Sequence, residues 1–279
     1  MVCIWCKQYG DGHERWFYNP ANYARRLYKI RKAEAEATGA EANPQAAGGM
    51  ALGGLELIKA MDSGDTKTVA RIVKESEEQA WRVHFGQVLS LDEALKAIDV
   101  MYPIATISCV CKRSMRCTAD NDNFVCMGMG PGMYKWERWP DTYRGGVEFL
   151  SPGEAKERVT RFHKQGLVQS VATFGTPYLG GLCNCDYPDC GFIRSRLDYG
   201  IRALWKGHYV ARVDAAACTG CAKCIKRCQF HALSYIPSQN KAYIDMGQCF
   251  GCGLCATVCA EKAISLVERA TLPALANSW

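Results

Sequence analysis

Eight of the 17 cysteines in this 279-residue chain fall into two identical runs. Cys218, Cys221, Cys224 and Cys228 form the first, and Cys249, Cys252, Cys255 and Cys259 the second. Each reads C-x2-C-x2-C-x3-C, and the second run repeats the first 31 residues on (218 to 249). The repeat extends beyond the thiols, since Ala232-Leu233-Ser234 returns as Ala263-Ile264-Ser265. Cysteines this close in sequence seldom pair with each other as structural disulfides, but as thiolates they bind thiophilic metals well. Three thiolates at this spacing can wrap three corners of an iron–sulfur cubane. The fourth cannot comfortably close on the same cluster and reaches across to its neighbour. A repeat of this kind predicts a pseudo-twofold unit with one metal site per half. Gly220, Gly251 and Gly253 allow tight turns that aim backbone amides at sulfur. The competing chemistry, zinc held by four thiolates, normally uses two well-separated C-x2-C knuckles rather than a run of four cysteines.

These two runs resemble the bacterial-type ferredoxins with two [4Fe–4S] clusters, and the resemblance covers about the last quarter of the chain. It implies that Cys218, Cys221, Cys224 and Cys259 hold one cluster. Cys249, Cys252, Cys255 and Cys228 would then hold the other. One position departs from the pattern in each half: Gln229 and Ala260 follow the fourth cysteine, where the family usually carries Pro. Proline would stiffen the turn and remove an N–H, so the change bears on hydrogen bonding and potential while removing no ligand.

Nine cysteines remain. Cys109-Val-Cys111, Cys117 and Cys126 precede a second group, Cys183-Asn-Cys185 and Cys190. Two C-x-C arms can converge on one metal, so Cys109, Cys111, Cys183 and Cys185 are the first candidates for a further iron–sulfur cluster or a zinc ion. Cys117, Cys126 and Cys190 compete with them. Cys109, Cys111, Lys112, Arg113 and Cys126, followed by Cys183, Asn184, Cys185 and Cys190, also resemble the central part of larger 4Fe–4S-binding proteins of anaerobes. Here Asp186, Pro188 and Asp189 stand where those proteins are denser in cysteine. Cys3 and Cys6 are half of a metal site by spacing. They need ligands from the spare cysteines, His13 or a partner chain, or else stand as a free thiol pair; no thioredoxin-like βαβ pattern surrounds them to favour a redox disulfide.

Other chemistry is thinly represented. His84, His163 and His208 read as ordinary surface or core groups, whereas His231 lies three residues after Cys228. The segment Met127-Gly-Met-Gly-Pro-Gly-Met133 follows no clear strand and opens no helix, which argues against a phosphate loop. Trp136, Trp139 and Tyr143 read as core or interface aromatics. Lys223, Lys226, Arg227 and Arg212 lie beside the ligand runs and could steer an acidic redox partner.

The elements that must position these residues follow from patterning. Helical periodicity covers Thr66–Phe85 and Leu91–Met101, with Asp92 early in the second helix, where an acid suits the dipole. An apolar run at Ile104–Cys109 reads as a strand. A helix over Gly153–Lys164 leads to a strand over Leu167–Phe174, and each helix–strand unit runs towards a C-x-C pair. Tyr209–Val213 and Ile264–Val267 read as strands leading into and out of the repeat. The fold class is α+β: a helical N-terminal and middle domain with short strands, then a ferredoxin-like βαβ repeat carrying two clusters. The expected division is a Cys-pair segment and Ala/Gly-rich linker over 1–54, a cysteine-rich domain over 55–204, and the two-cluster domain with its tail over 205–279.

Hydrophobic residues at 48% and charged residues at 22% are ordinary for a soluble protein, and a net charge of +6 is too small to argue for nucleic acid. No run of about 18 apolar residues predicts a membrane span. The N-terminus lacks the form of a cleaved signal, so a reducing cytoplasmic location is expected. The reading is an electron-transfer protein, a fixed subunit of an anaerobic oxidoreductase complex, because some 200 residues precede the ferredoxin-like runs. No nicotinamide, flavin or molybdopterin fingerprint is present, so the chain reads as a subunit partnered by catalytic subunits or a redox protein rather than as the catalyst. The alternative is a cluster-based enzyme, or a redox or iron sensor, whose middle domain holds the active or labile metal.

Overall fold

The computed structural model describes residues 54–83, 86–109, 111–112, 124–130, 133, 147–173 and 179–278. Cys3, Cys6, His13, His84, Cys117, Trp136, Trp139 and Tyr143 lie outside them.

Two helices, α1 (Gly54–Ser63) and α2 (Thr66–Val83), lead to strand β1 (Gly86–Leu89). Then come α3 (Leu91–Val100), β2 (Ile104–Ile107), β3 (Cys126–Met129), β4 (Val147–Leu150), α4 (Pro152–Gln165), β5 (Val168–Ala172), β6 (Gly181–Cys185), α5 (Gly191–Leu197) and β7 (Leu204–Trp205). The seven strands form one sheet in the order β4-β2-β3-β6-β5-β1-β7, antiparallel except for the β1–β7 edge. The strands are short, as expected. Their union in a single sheet was not foreseen, because its central strands are runs of four or five mostly buried residues with no alternation to read. The Met127–Met133 segment, expected to follow no clear strand, has its first three residues in strand β3 itself. A side chain at 128 would meet the end of the buried Met133 side chain, which would have to shift.

The two helix–strand units start alike. Ser90 caps α3 and Ser151 caps α4, each in a reciprocal capping box with the glutamate three residues on, Glu93 and Glu154. Each box satisfies two otherwise orphaned backbone donors. The helices pack side by side. Their apolar faces, including Ile98, Val159 and Phe162, join a core with Val88, Ile104, Met127, Leu182 and Ile193. Each fully buried aliphatic side chain there contributes about 1.5–3 kcal/mol.

The C-terminal region pairs strands in a different way. β8 (Tyr209–Val213) pairs antiparallel with β11 (Ile264–Glu268), and β9 (Leu233–Ile236) pairs with β10 (Lys241–Ile244). Shifted by 31 residues, β8 falls on β10 and β9 on β11, so the two ribbons exchange under a pseudo-twofold. The helical turn α6 (Lys223–Arg227) has its counterpart in a 3-10 turn at Ala256–Val258. Phe230, Phe250, Cys252 and Leu254 of this region belong to the same apolar core as the sheet. The ring of Phe230 stacks on Phe250 with centroids 4.1 Å apart.

Candidate metal centre

The pseudo-twofold is written into hydrogen bonds. The backbone N–H groups of Ala242 and Gly220 donate to the Cys218 sulfur, and those of Ala211 and Gly251 donate to Cys249. Each donor in one half is 31 residues from its counterpart in the other. Gly220 and Gly251 have φ of 74° and 79°. A Cβ at Gly220 would lie 2.3 Å from the Asn240 carbonyl oxygen, and one at Gly251 2.1 Å from that of Tyr209. Both the left-handed backbone and the close approach exclude any side chain.

Cys218, Cys221, Cys224 and Cys259 line a single cavity of about 130 Å³. That is roughly ten times the ~10–15 Å³ needed by one water-sized guest, so the space suits a cluster rather than a lone ion. The donor set, four thiols with amides aimed at sulfur, fits an iron–sulfur cluster. Among the described residues no three of His, Cys, Asp or Glu are spaced to grip a single metal ion.

Cys249, Cys252, Cys255 and Cys228 form the second quartet, and each of the first three thiols feels Cys228. Burial separates the quartets at the first two positions of each run, whereas Cys224 and Cys255 are equally buried, at 7%. Cys221 is exposed, whereas its counterpart Cys252 is buried. The amide of Ala242 helps to hold the Cys218 thiol below its ordinary value. Burial pushes its counterpart Cys249 up, Cys252 well up, and Cys255 up to about 12. Thiols held protonated in this way need a compensating cation to ionise.

The surroundings explain the difference. Around the exposed quartet stand Thr219, Lys223 and Glu261, all exposed. At the matching positions around the buried one stand Phe250, Leu254 and Phe230, all buried against the sheet. Buried cations sit on this side. Arg269 donates to the carbonyls of Gly207, Tyr209 and Cys249 at 3.0, 3.1 and 2.7 Å. Lys206 donates to the Gly247 carbonyl at 2.6 Å. Burial lowers the pKa of both.

Residues 210–263 match a family model described as a 4Fe-4S dicluster domain. The C-terminal region is therefore a ferredoxin-like iron–sulfur module that binds [4Fe–4S] clusters through the cysteines between 218 and 259, and its role is electron transfer. No curated protein matches the chain.

Outside the module, the sheet gathers six of the remaining cysteines. Cys109, just past β2, contacts the thiols of Cys111, Cys126 and Cys185. Cys126 also contacts Cys183, and Cys185 contacts Cys190. The two C-x-C arms therefore converge, and Cys126 and Cys190 join them. The Cys109 contact pushes the Cys111 and Cys185 thiols well up. At Cys126 the Cys109 contact pulls down, but the Cys183 contact and burial prevail and push it well up. The Cys190 thiol is instead lowered, by its Cys185 contact and by the amides of Ile193 and Phe192.

The basic residues divide. Lys223, Lys226 and Arg212 are exposed. Arg227 instead clamps the module to the end of α4, donating to the carbonyls of Gln165, at 3.0 Å, and Lys164. His231 is exposed and meets the Tyr187 ring edge-on. His208 pairs with Glu93 at 2.5 Å. Sequence reading missed Arg269; a lone arginine past the repeat carries no spacing signal.

Proposed function

We propose that this protein is an electron-transfer subunit of a larger oxidoreductase complex, relaying single electrons through two [4Fe–4S] clusters. Cys218, Cys221, Cys224 and Cys259 hold the outer cluster, and Cys249, Cys252, Cys255 and Cys228 the inner one. The observation that carries this reading is the unequal dressing of two otherwise symmetric thiol quartets. One opens to solvent beside Lys223, and the other is sealed by Phe230, Phe250 and Leu254 against the sheet. A symmetric module with one wet and one buried end has an entry and an interior terminus.

Each bound cluster supplies one-electron storage at a potential set by its burial, charge and amide contacts. The chain's residues do the rest. The amides of Ala242, Gly220, Ala211 and Gly251 stabilise sulfur charge, the Phe230–Phe250 stack excludes water from the inner quartet, and Arg269 and Lys206 offset buried negative charge. Lys223, Lys226 and Arg212 form the approach for an acidic redox partner at the outer end.

The test is a reductive titration of anaerobically purified protein followed by low-temperature EPR. Two interacting one-electron centres with at least eight irons per chain are expected. Fewer than eight irons, or zinc in their place, would overturn the two-cluster assignment. Turnover of an organic substrate by this chain with only a chemical reductant would overturn the carrier role in favour of an enzyme. Reduction by an acidic partner is expected to slow as salt rises, and a rate indifferent to salt would remove the docking role of the three basic residues.

A further inference from the structure

The six thiols beneath the sheet are too many and too closely gathered to be ordinary core residues. A single buried cysteine behaves as a small hydrophobe, but here the thiols form one connected set. Strand register builds part of it. Met127 of β3 lies opposite Leu182 of β6, so one step outward Cys126 faces Cys183, the pair whose thiols touch. Cys183 and Cys185 are two apart on β6 and project to one face. Cys109 follows β2, whose Ile107 is opposite Cys126. Cys190, at the start of α5, closes the set through Cys185.

We infer that Cys109, Cys111, Cys126, Cys183, Cys185 and Cys190 form a third metal centre, a thiolate-rich site for an iron–sulfur cluster rather than a lone ion. Four observations converge on it besides the contacts. Backbone amides aim at the sulfurs: Lys112 N–H donates to Cys109 at 3.5 Å, Gly191 N–H to Cys111, and Phe192 and Ile193 N–H to Cys190. The ferredoxin-like module uses the same kind of contact at Cys218 and Cys249. A Cβ on Gly191 would stand 3.2 Å from the Cys111 sulfur, so the glycine lets the backbone crowd a thiol. A cation borders the site, since Lys112 is buried and pairs with Asp186 at 2.7 Å. Finally, the arm is fixed by a buried polar chain. Asn184, between Cys183 and Cys185, donates to the Val125 carbonyl at 2.8 Å and accepts from Gln169 at 3.3 Å. Gln169 in turn meets His163 Nδ1 at 2.6 Å. Buried amides held this firmly orient ligand-bearing strands.

The centre would lie next to the inner quartet. The segment joining Cys185 to Cys190 contains Tyr187, whose N–H is bound by Gln229, the residue after Cys228. This inference extends the two-cluster reading, and the metal count separates the two.

Iron, acid-labile sulfide and zinc are measured per chain on anaerobically purified full-length protein, together with a double variant, Cys109→Ala with Cys185→Ala. Wild-type protein is expected to hold metal beyond the eight irons of the module: about four further irons with sulfide. The added irons give a third EPR-active centre, and zinc in their place would overturn the inference. The variant is expected to lose only this excess and to keep the module's EPR spectrum. Eight irons in the wild type would overturn the inference while leaving the two-cluster reading intact. A variant that keeps the excess metal would overturn the ligand assignment. If the variant does not fold, the wild-type count alone decides.

Discussion

The side-chain carbonyl of Gln229 accepts the backbone N–H of Tyr187 at 3.1 Å, while its amide donates to the Gly166 carbonyl at 3.3 Å. One residue thus ties the flank of Cys228 to the Cys185–Cys190 segment and to the end of α4. The ferredoxins this module resembles carry proline at that position. Proline has no group to make either contact, so the exchange for glutamine is explained by docking.

Gln229→Pro is therefore expected to leave the ligand set whole and to loosen the seam between module and sheet. Two part-buried hydrogen bonds are lost, at a cost of about 1–3 kcal/mol. Thermal unfolding should shift down. Potentiometric titration should move the inner cluster's potential more than the outer one's, because only the inner flank is disturbed. An equal shift of both would contradict the assignment of inner and outer.

Arg269→Met removes a buried cation that bonds the Cys249 carbonyl. The inner cluster should become harder to reduce, with the outer one nearly unchanged. At an effective protein dielectric near 20 the loss is on the order of 1 kcal/mol, or about 40 mV for one electron. Three carbonyls lose a donor as well, so the melting temperature should fall. Arg269→Lys should restore part of the potential, which a purely structural role would not require.

Gly251→Ala places a methyl group against the Tyr209 carbonyl at a left-handed backbone. The turn around Cys249 and Cys252 cannot then keep its shape. The expected outcome is loss of about half of the module's iron, read by elemental analysis, with the outer quartet's signal retained. Gly220→Ala should produce the reciprocal loss.

His163 is buried on α4, and burial lowers its pKa despite the Gln169 contact. The unfolded chain then takes up a proton more readily than the folded one. The stabilising contribution is complete above the unfolded value near 6.5 and is lost as pH falls through it. The unfolding midpoint should drop between pH 7.5 and 5.5, and His163→Gln should flatten that slope. An unchanged slope would assign the pH dependence to another group.

The eight module cysteines, their 31-residue repeat and the chemistry they carry were legible in the sequence, because cluster ligation imposes a fixed local spacing that no other fold requirement produces. The main helices and several strands were legible as well: Thr66–Val83, Leu91–Val100, Pro152–Gln165 and Val168–Ala172 follow helical periodicity or apolar runs. The seven-stranded sheet was not, since order and register depend on contacts between segments as far apart as Gly86 and Leu204. Nor could spacing choose among the spare cysteines. Only the pairing of β3 with β6 sets Cys126 beside Cys183, and only the turn into α5 returns Cys190 to Cys185. The inequality of the two quartets was likewise decided in three dimensions. Phe230, Phe250 and Leu254 differ in type from Glu261, Thr219 and Lys223, but what makes one quartet interior is the sheet that the apolar residues pack against.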